Sequence, residues 1–346
     1  MLKIKYKVNR IKPGSTIGVI SPSWSGPNEF PFVYEKGLDN LKKEFNFKLK
    51  EFKHTRSKYS DSIEYVKNRV EDIHAAFLDK EVEAIFITIG GSDSIRLLPY
   101  LDKDLITQNP KIVMGFSDAT SILIYLAKLG LPAFYGPSVM AGFSEPEGLN
   151  KESVSHFKSF FFDKWESYEY PVYSKWTDDR YGWTDPNFLN REKEYKINDG
   201  VKILNQGSAR EGVLIGGCLE IIEMLKGTRY GISEDDWNDT SFFFETSEDK
   251  PTPEYVECAL ISYGVSGAWD NVKNLIISKS RGYTHEEYAT LEKKILSVLI
   301  DKFNSTKINI LSNVDIGHTQ PMLIFPMGCN LKTEGSKLIL TDSPFN

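Results

Sequence analysis

Short apolar runs and longer amphipathic stretches take turns along the first 150 residues, and few architectures accommodate that order. "TIGVIS" (16–21) follows the turn signal Pro13-Gly14, and "EAIFITIG" (83–90) and "KIVMGF" (111–116) have the length and apolar density of buried strands. Between them, "FVYEKGLDNLKKEF" (32–45) places Phe32, Tyr34, Leu38, Leu41 and Phe45 near one helical face. "SIEYVKNRVEDIHAAFLDK" (62–80) is a longer amphipathic helix, and "SIRLLPYLD" (94–102) a short one. "ATSILIYLAKLG" (119–130) is a largely apolar helix closed by glycine in the stop position. Strands separated by helices of this length predict a doubly wound, mostly parallel α/β sheet with helices on both faces. Ligands of such sheets bind beyond the carboxyl ends of the strands. Ser117 and the pair Gly90-Gly91 both fall there.

The pattern breaks from about Trp165 to Gly207. "WESYEYPVYSKWTDDRYGWTDPNF" crowds aromatics, prolines and charges without a period, which fits a lid or binding loop better than a plain linker. Alternation resumes with "EGVLIGG" (211–217), "SFFFET" (241–246), "NLIIS" (274–278) and "INILSNV" (308–314), with helices through Lys226, near 253–264 and at 284–303. The closing runs "MLIFPMG" (322–328) and "KLILTD" (337–342) have no helix between them, so the second domain reads as α+β. The expected organisation is an N-terminal α/β domain over 1–164, an aromatic-rich linker or binding loop over 165–207, and a C-terminal domain over 208–346.

Composition removes other classes. A chain of 346 residues can bury the core of two domains or one large one. Its net charge of -6 argues against a nucleic-acid surface, which needs a cationic footprint. No apolar run reaches the roughly 18–20 residues that cross a bilayer. The basic start "MLKIKYKVNRIKPGSTIGVIS" lacks the apolar region and cleavage site of a secretion signal. Cys218, Cys258 and Cys329 are odd in number and far apart, as in a cytoplasmic protein with reduced thiols. The five histidines form no H-x-x-x-H pair, so no metal site is expected.

Four stretches carry residues suited to chemistry. In "KIVMGFSDAT" (111–120), Gly115, Ser117 and Ala119 give G-x-S-x-A, one small residue away from the nucleophile-elbow pattern. A serine on a sharp strand-to-helix turn needs small neighbours, and the first free N–H groups of the helix can bind developing negative charge. The same serine also reads as a helix N-cap contributing about 1 kcal/mol, and spacing alone leans to the cap. In "TIGGSDSIRLLPYLD" (88–102), two glycines let the backbone approach a ligand or form part of an oxyanion hole. An ordinary turn with Ser92 or Asp93 capping the next helix fits equally. Glu245, at the end of three phenylalanines, either orients a histidine or marks an exposed strand end. His318 follows Gly317 in a polar turn, as a general base or as a solvent-exposed loop histidine. The order is Ser…Glu…His, and spacing does not show whether the three meet.

The ordered pieces "IGGSDSIRLLPYLD", "GFSDAT", "LIGGCLEIIEMLKGT", "FFFET" and "GHTQPMLIFPMG" resemble landmarks of the LD-carboxypeptidase family of serine peptidases over nearly the whole chain. The resemblance implies Ser117 as nucleophile, His318 as general base and Glu245 as its orienting carboxylate. It implies an oxyanion hole from the amides of Gly91 and Asp118, and a site in the cleft between the two domains. It further implies a cytoplasmic homodimer that needs no cofactor or metal. Cell-wall recycling members carry an arginine before the glycine pair where this chain has Ile89, so the pattern is closer to the microcin-immunity branch. That branch implies a small peptide or aminoacyl-nucleotide substrate whose base stacks on an aromatic loop. Trp183 is the preferred ring, with Trp176 and Tyr181 nearby and Ser92 as a further substrate contact; Trp183 packed at a domain or dimer interface fits as well. Cys218 stands where relatives often have asparagine, and "LIISKSRG" departs from the family near Lys279 and Arg281. Rival readings are an LD-carboxypeptidase acting on murein tetrapeptides, a non-catalytic two-domain binder, and a nucleotide-binding protein using Gly90-Gly91, which lacks the further glycine or Gly-Lys-Ser/Thr of such loops.

Overall fold

A computed structural model of the chain describes residues 2–179, 182–185, 193–208 and 211–346. The strands are β1 (Thr16–Ile20), β2 (Lys48–Glu51), β3 (Val82–Ile87), β4 (Ile112–Gly115), β5 (Ala133–Tyr135), β6 (Tyr168–Glu169), β7 (Lys175–Trp176), β8 (Lys196–Ile197), β9 (Lys202–Asn205), β10 (Glu211–Cys218), β11 (Thr240–Glu245), β12 (Asn274–Ser278), β13 (Asn309–Val314), β14 (Phe325–Met327), β15 (Asn330–Glu334) and β16 (Lys337–Leu340). The first sheet has the order β14-β5-β4-β3-β1-β2, parallel except for β14. β4 and β5 are buried throughout, as expected of strands covered on both faces.

The helices of this half begin and end where their sequences dictate. Ser62 accepts a bond from the Tyr65 amide to start helix Ile63–Leu78. Gly130, at φ +87°, ends helix Thr120–Leu129. In the second half, Thr284 and Glu287 form a capping box that opens helix His285–Leu296.

The second sheet runs β6-β16-β15-β10-β11-β12-β13-β9. Its centre, β10 to β13, is parallel, and its flanks are antiparallel. The aperiodic 165–207 stretch supplies both edge strands, β6 and β9, and the small ribbon β7–β8. β14 leaves the C-terminal part of the sequence to pair with β5 of the first sheet, Phe325 opposite Tyr135. The ten residues between β13 and β14 therefore pass from one sheet to the other, and His318 lies among them. No helix among the described residues is long and apolar enough to cross a membrane.

Candidate active site

Ser117 sits where β4 hands over to helix Thr120–Leu129. Phe116 is extended, Ser117 takes φ +60°, and a single 3-10 turn leads into the helix. A left-handed conformation costs a non-glycine residue roughly 1–2 kcal/mol, so the turn is held by its surroundings. Thr120 Oγ1 donates to the Ser117 carbonyl at 2.6 Å and accepts from the Cys218 amide at 3.0 Å, tying the turn to the end of β10. Gly90 is required by close approach: a Cβ there would stand 2.8 Å from both Cβ and Oγ of Ser117. The Ser117 side chain caps neither the 3-10 turn nor the helix, so the N-cap alternative is not what the fold uses.

The carboxylate of Asp118 organises the neighbouring loop. Buried, it accepts from the amides of Asp93 (3.1 Å) and Ser94 (2.9 Å) and from the Ser23 hydroxyl, while its carbonyl accepts from Ser94 Oγ at 2.7 Å. Burial pushes this carboxyl above the usual aspartate range, and the Ser23 and Ser94 bonds oppose the rise. These bonds hold the loop containing Gly91 against the Ser117 turn. No hydrogen bond among the described residues uses the Gly91 amide. Neither Ser92 nor Asp93 caps the following helix; Asp93 instead pairs with Arg69 at 3.3 Å.

Strand β11 of the second sheet and the β13–β14 connection bring the other two predicted residues. Glu245 ends β11 and is fully buried, and His318 is 1% exposed. The solvent-exposed alternatives for both are thereby excluded. His318 Nδ1 lies 2.6 Å from Glu245 Oε2, and the edge-on Phe116 ring, next to Ser117, is 5.0 Å from the imidazole. Gly317 makes the pair possible: it has φ +79°, and a Cβ there would overlap the Glu245 carboxyl group.

Tyr135, which reads in the sequence as one more core aromatic, joins the two halves. Its hydroxyl donates to Glu245 Oε1 at 2.5 Å and accepts from the Ser117 amide at 3.2 Å. Burial, reinforced by Glu245, raises this phenol well above its ordinary range, so it stays a donor. The available signal was its place at the carboxyl end of β5, the same edge as Ser117.

Ser117 and His318 line one cleft of about 480 Å³, together with Gly91, Ser92 and Trp183. Trp183 stacks on Trp24 with ring centres 5.8 Å apart and planes 5° from parallel. Trp176 lies elsewhere, in a separate pocket beside Lys279 and Lys196, so the structure does not bring it to Ser117. Tyr181 falls outside the described residues. The cleft also holds Glu220, Glu248, Asp249 and Arg281. Glu220 accepts from the amide and hydroxyl of Ser247 (2.9 and 2.5 Å) and anchors the loop after β11. Glu248 reaches back so that its Oε2 is 2.7 Å from His318 Nε2. Cys218 lines the cleft with its thiol pushed well up by burial and then by Glu245, which keeps it protonated. Among the described residues no cluster of three or more His, Cys, Asp or Glu side chains is arranged to hold a metal.

Residues 17–136 match the LD-carboxypeptidase N-terminal domain and residues 211–333 the LD-carboxypeptidase C-terminal domain. The chain is 30% identical to the microcin C7 self-immunity protein MccF of Escherichia coli over 92% of this chain and 90% of that protein. It is 25% identical to a probable murein peptide carboxypeptidase of Bacillus subtilis, over 95% of this chain and 91% of the relative. A solved structure of MccF in complex with glutamyl sulfamoyl guanosine superposes with a TM-score of 0.84 at 26% identity, covering 98% of this chain and 99% of that one. The strand-end serine, the buried acid-histidine pair and these matches lead to one conclusion: the chain belongs to the LD-carboxypeptidase family and is a serine hydrolase.

Proposed function

We propose that this hydrolase cleaves the amide joining an aminoacyl group to a modified nucleotide, with Ser117 as nucleophile, His318 as general base and Glu245 orienting the imidazole. The observation that carries the assignment is the buried 2.6 Å contact between Glu245 and His318, the histidine that lines the same cleft as Ser117. In the first step His318 Nε2 takes the Ser117 proton, the oxygen attacks the scissile carbonyl, and Glu245 stabilises the imidazolium. The amides of Gly91 and Asp118, held together by the Asp118 carboxylate, receive the oxyanion. The leaving nitrogen then takes the proton from His318, and water hydrolyses the acyl-enzyme. The nucleotide reading is supported by Trp183 on the cleft wall and by the nucleoside ligand in the MccF complex. Ring–base stacking contributes about 1–3 kcal/mol. Murein tetrapeptide hydrolysis is the second reading, favoured by the murein peptide carboxypeptidase relative. The family resemblance also supports a cytoplasmic location and a homodimer.

Mass spectrometry of products from aminoacyl-nucleotide amides and L,D-peptides separates the two substrates. Ser117→Ala is expected to lower kcat by several orders of magnitude on any cleaved substrate and to abolish fluorophosphonate labelling. Near-normal turnover by that variant would sink the assignment.

A further inference from the structure

Among the described residues that line the Ser117 cleft, Arg281 is the one lysine or arginine, and it shares the space with the carboxylates of Glu220, Glu248 and Asp249. It follows the carboxyl end of β12, beside the end of β11 that carries Glu245. The segment is anchored on both sides. Two residues earlier, Lys279 is buried, ion-paired with Asp315 at 2.5 Å and bonded to the Asn313 carbonyl at 2.8 Å. Two residues later, the Tyr283 hydroxyl donates to the Pro251 carbonyl. Lys250, on the facing loop, is spoken for by Glu287 at 2.8 Å. Arg281 itself is half-buried and has neither an ion pair nor a side-chain hydrogen bond among the described residues. A guanidinium carries five N–H donors and keeps its charge, so an unpaired one on a tethered loop in a reaction cleft is a ready receptor for an anion.

The reaction indicates which anion. Hydrolysis of an amide in this cleft releases an amine. In a carboxypeptidase substrate the leaving nitrogen carries the terminal carboxylate, whose carbon lies about 2.5 Å from it, two bonds away. In an acyl phosphoramidate of a nucleotide, the phosphorus is bonded to that nitrogen directly. Both substrate readings therefore place anionic oxygens beside the leaving nitrogen. Such oxygens pair with the guanidinium fork two at a time. The three carboxylates repel the same group from the rest of the cleft, so attraction at Arg281 and repulsion elsewhere select one orientation.

We propose that Arg281 is a specificity-determining residue that receives the oxyanion carried by the leaving group, a terminal carboxylate or a phosphoryl group, and so selects which amide is presented to Ser117. The inference rests on the reading of Ser117 and His318 given above. It makes the protein an exo-acting hydrolase: an amide whose leaving part is neutral next to the scissile bond is a poor substrate. The stretch from Lys279 to Gly282, which departs from the family pattern, is where this selectivity is built.

The test uses two substrate pairs: an L,D-tetrapeptide ending in D-alanine with its D-alaninamide twin, and an aminoacyl phosphoramidate of adenosine with its neutral P–O-methyl ester. In the pair that the parent enzyme cleaves, it should prefer the ionised member by about tenfold or more in kcat/KM, the fold-change that one charge-assisted hydrogen bond carries. Which pair shows the preference tells carboxylate from phosphoryl. Arg281→Gln should reduce the preference to within about threefold, and Arg281→Lys, which keeps the charge without the fork, should retain part of it. Calorimetric titration of both pairs into Ser117→Ala, with and without Arg281→Gln, reads the same preference in Kd without turnover. A parent preference under threefold, an unchanged preference in Arg281→Gln, or an equal fall for both members of a pair would overturn the proposal. If Ser117→Ala still cleaves a substrate, the fault lies instead with the assignment of the nucleophile, and the Arg281 preference is still read from the titrations.

Discussion

Replacing Tyr135 by phenylalanine removes one oxygen from the centre of the molecule and leaves the ring in place. That oxygen makes two buried contacts, donating to Glu245 Oε1 and accepting from the Ser117 amide. The first is charge-assisted and worth about 1.5–3 kcal/mol, and the second is an ordinary bond worth about 1 kcal/mol. No water is expected to replace the lost hydroxyl in so tight a site, so a combined cost near 3 kcal/mol follows. With a denaturant slope of about 3 kcal/mol/M or more in urea, the unfolding midpoint should fall by up to about 1 M. The kinetic effect should fall on kcat rather than KM. Glu245 loses one of the two contacts that fix its plane, and the Ser117 amide loses its link to Glu245, while the tie to β10 through Thr120 remains. If the charge-assisted part is expressed in the transition state, kcat drops about ten- to a hundredfold. Urea titration with paired kinetics measures both. An unshifted midpoint together with full turnover would refute the view of Tyr135 as the brace between nucleophile and acid.

Gly317→Ala forces a side chain into a left-handed position and onto the Glu245 carboxyl group, so more than tenfold loss of kcat and a lowered thermal midpoint are expected. Asp72 supplies a pH test: burial raises its carboxyl to about 6, opposed by the bond it accepts from the His54 amide. Between about pH 4 and 6 the folded protein keeps a proton that the unfolded chain has released, so stability falls as pH rises through that window. Asp72→Asn should remove this part of the slope in urea midpoints taken from pH 4 to 7, and an unchanged slope would count against it.

Several parts of the site are legible in the sequence because they are local. Strand β12 falls where its apolar run places it, and β4 and β11 end within a residue of the expected positions. Ser117, Glu245 and Gly91 each sit at or near the end of such a run, and strand ends are where open sheets bind ligands. Other features carry no local signal. Burial of His318 is invisible in a polar turn, since a loop histidine normally faces solvent. Tyr135 reads as one more core aromatic, and the Asp118 carboxylate as a helix-start acid, because their partners lie far away in the chain. Trp176 and Trp183 are seven residues apart in one aromatic stretch, yet they face different pockets.

The amino-acid sequence by itself determined the alternation of strands and helices, the small residues on either side of Ser117, and the order of the three reactive side chains. These follow from periodicity and side-chain size, which act over a few residues. The tertiary structure alone decided that β14 joins the first sheet rather than the second, drawing residues 315–324 across the gap and setting His318 against Glu245 beside the Ser117 turn. Strand pairing is non-local: an apolar run specifies that it will be buried in a sheet, while the choice of neighbour depends on packing and hydrogen bonds supplied by the rest of the chain.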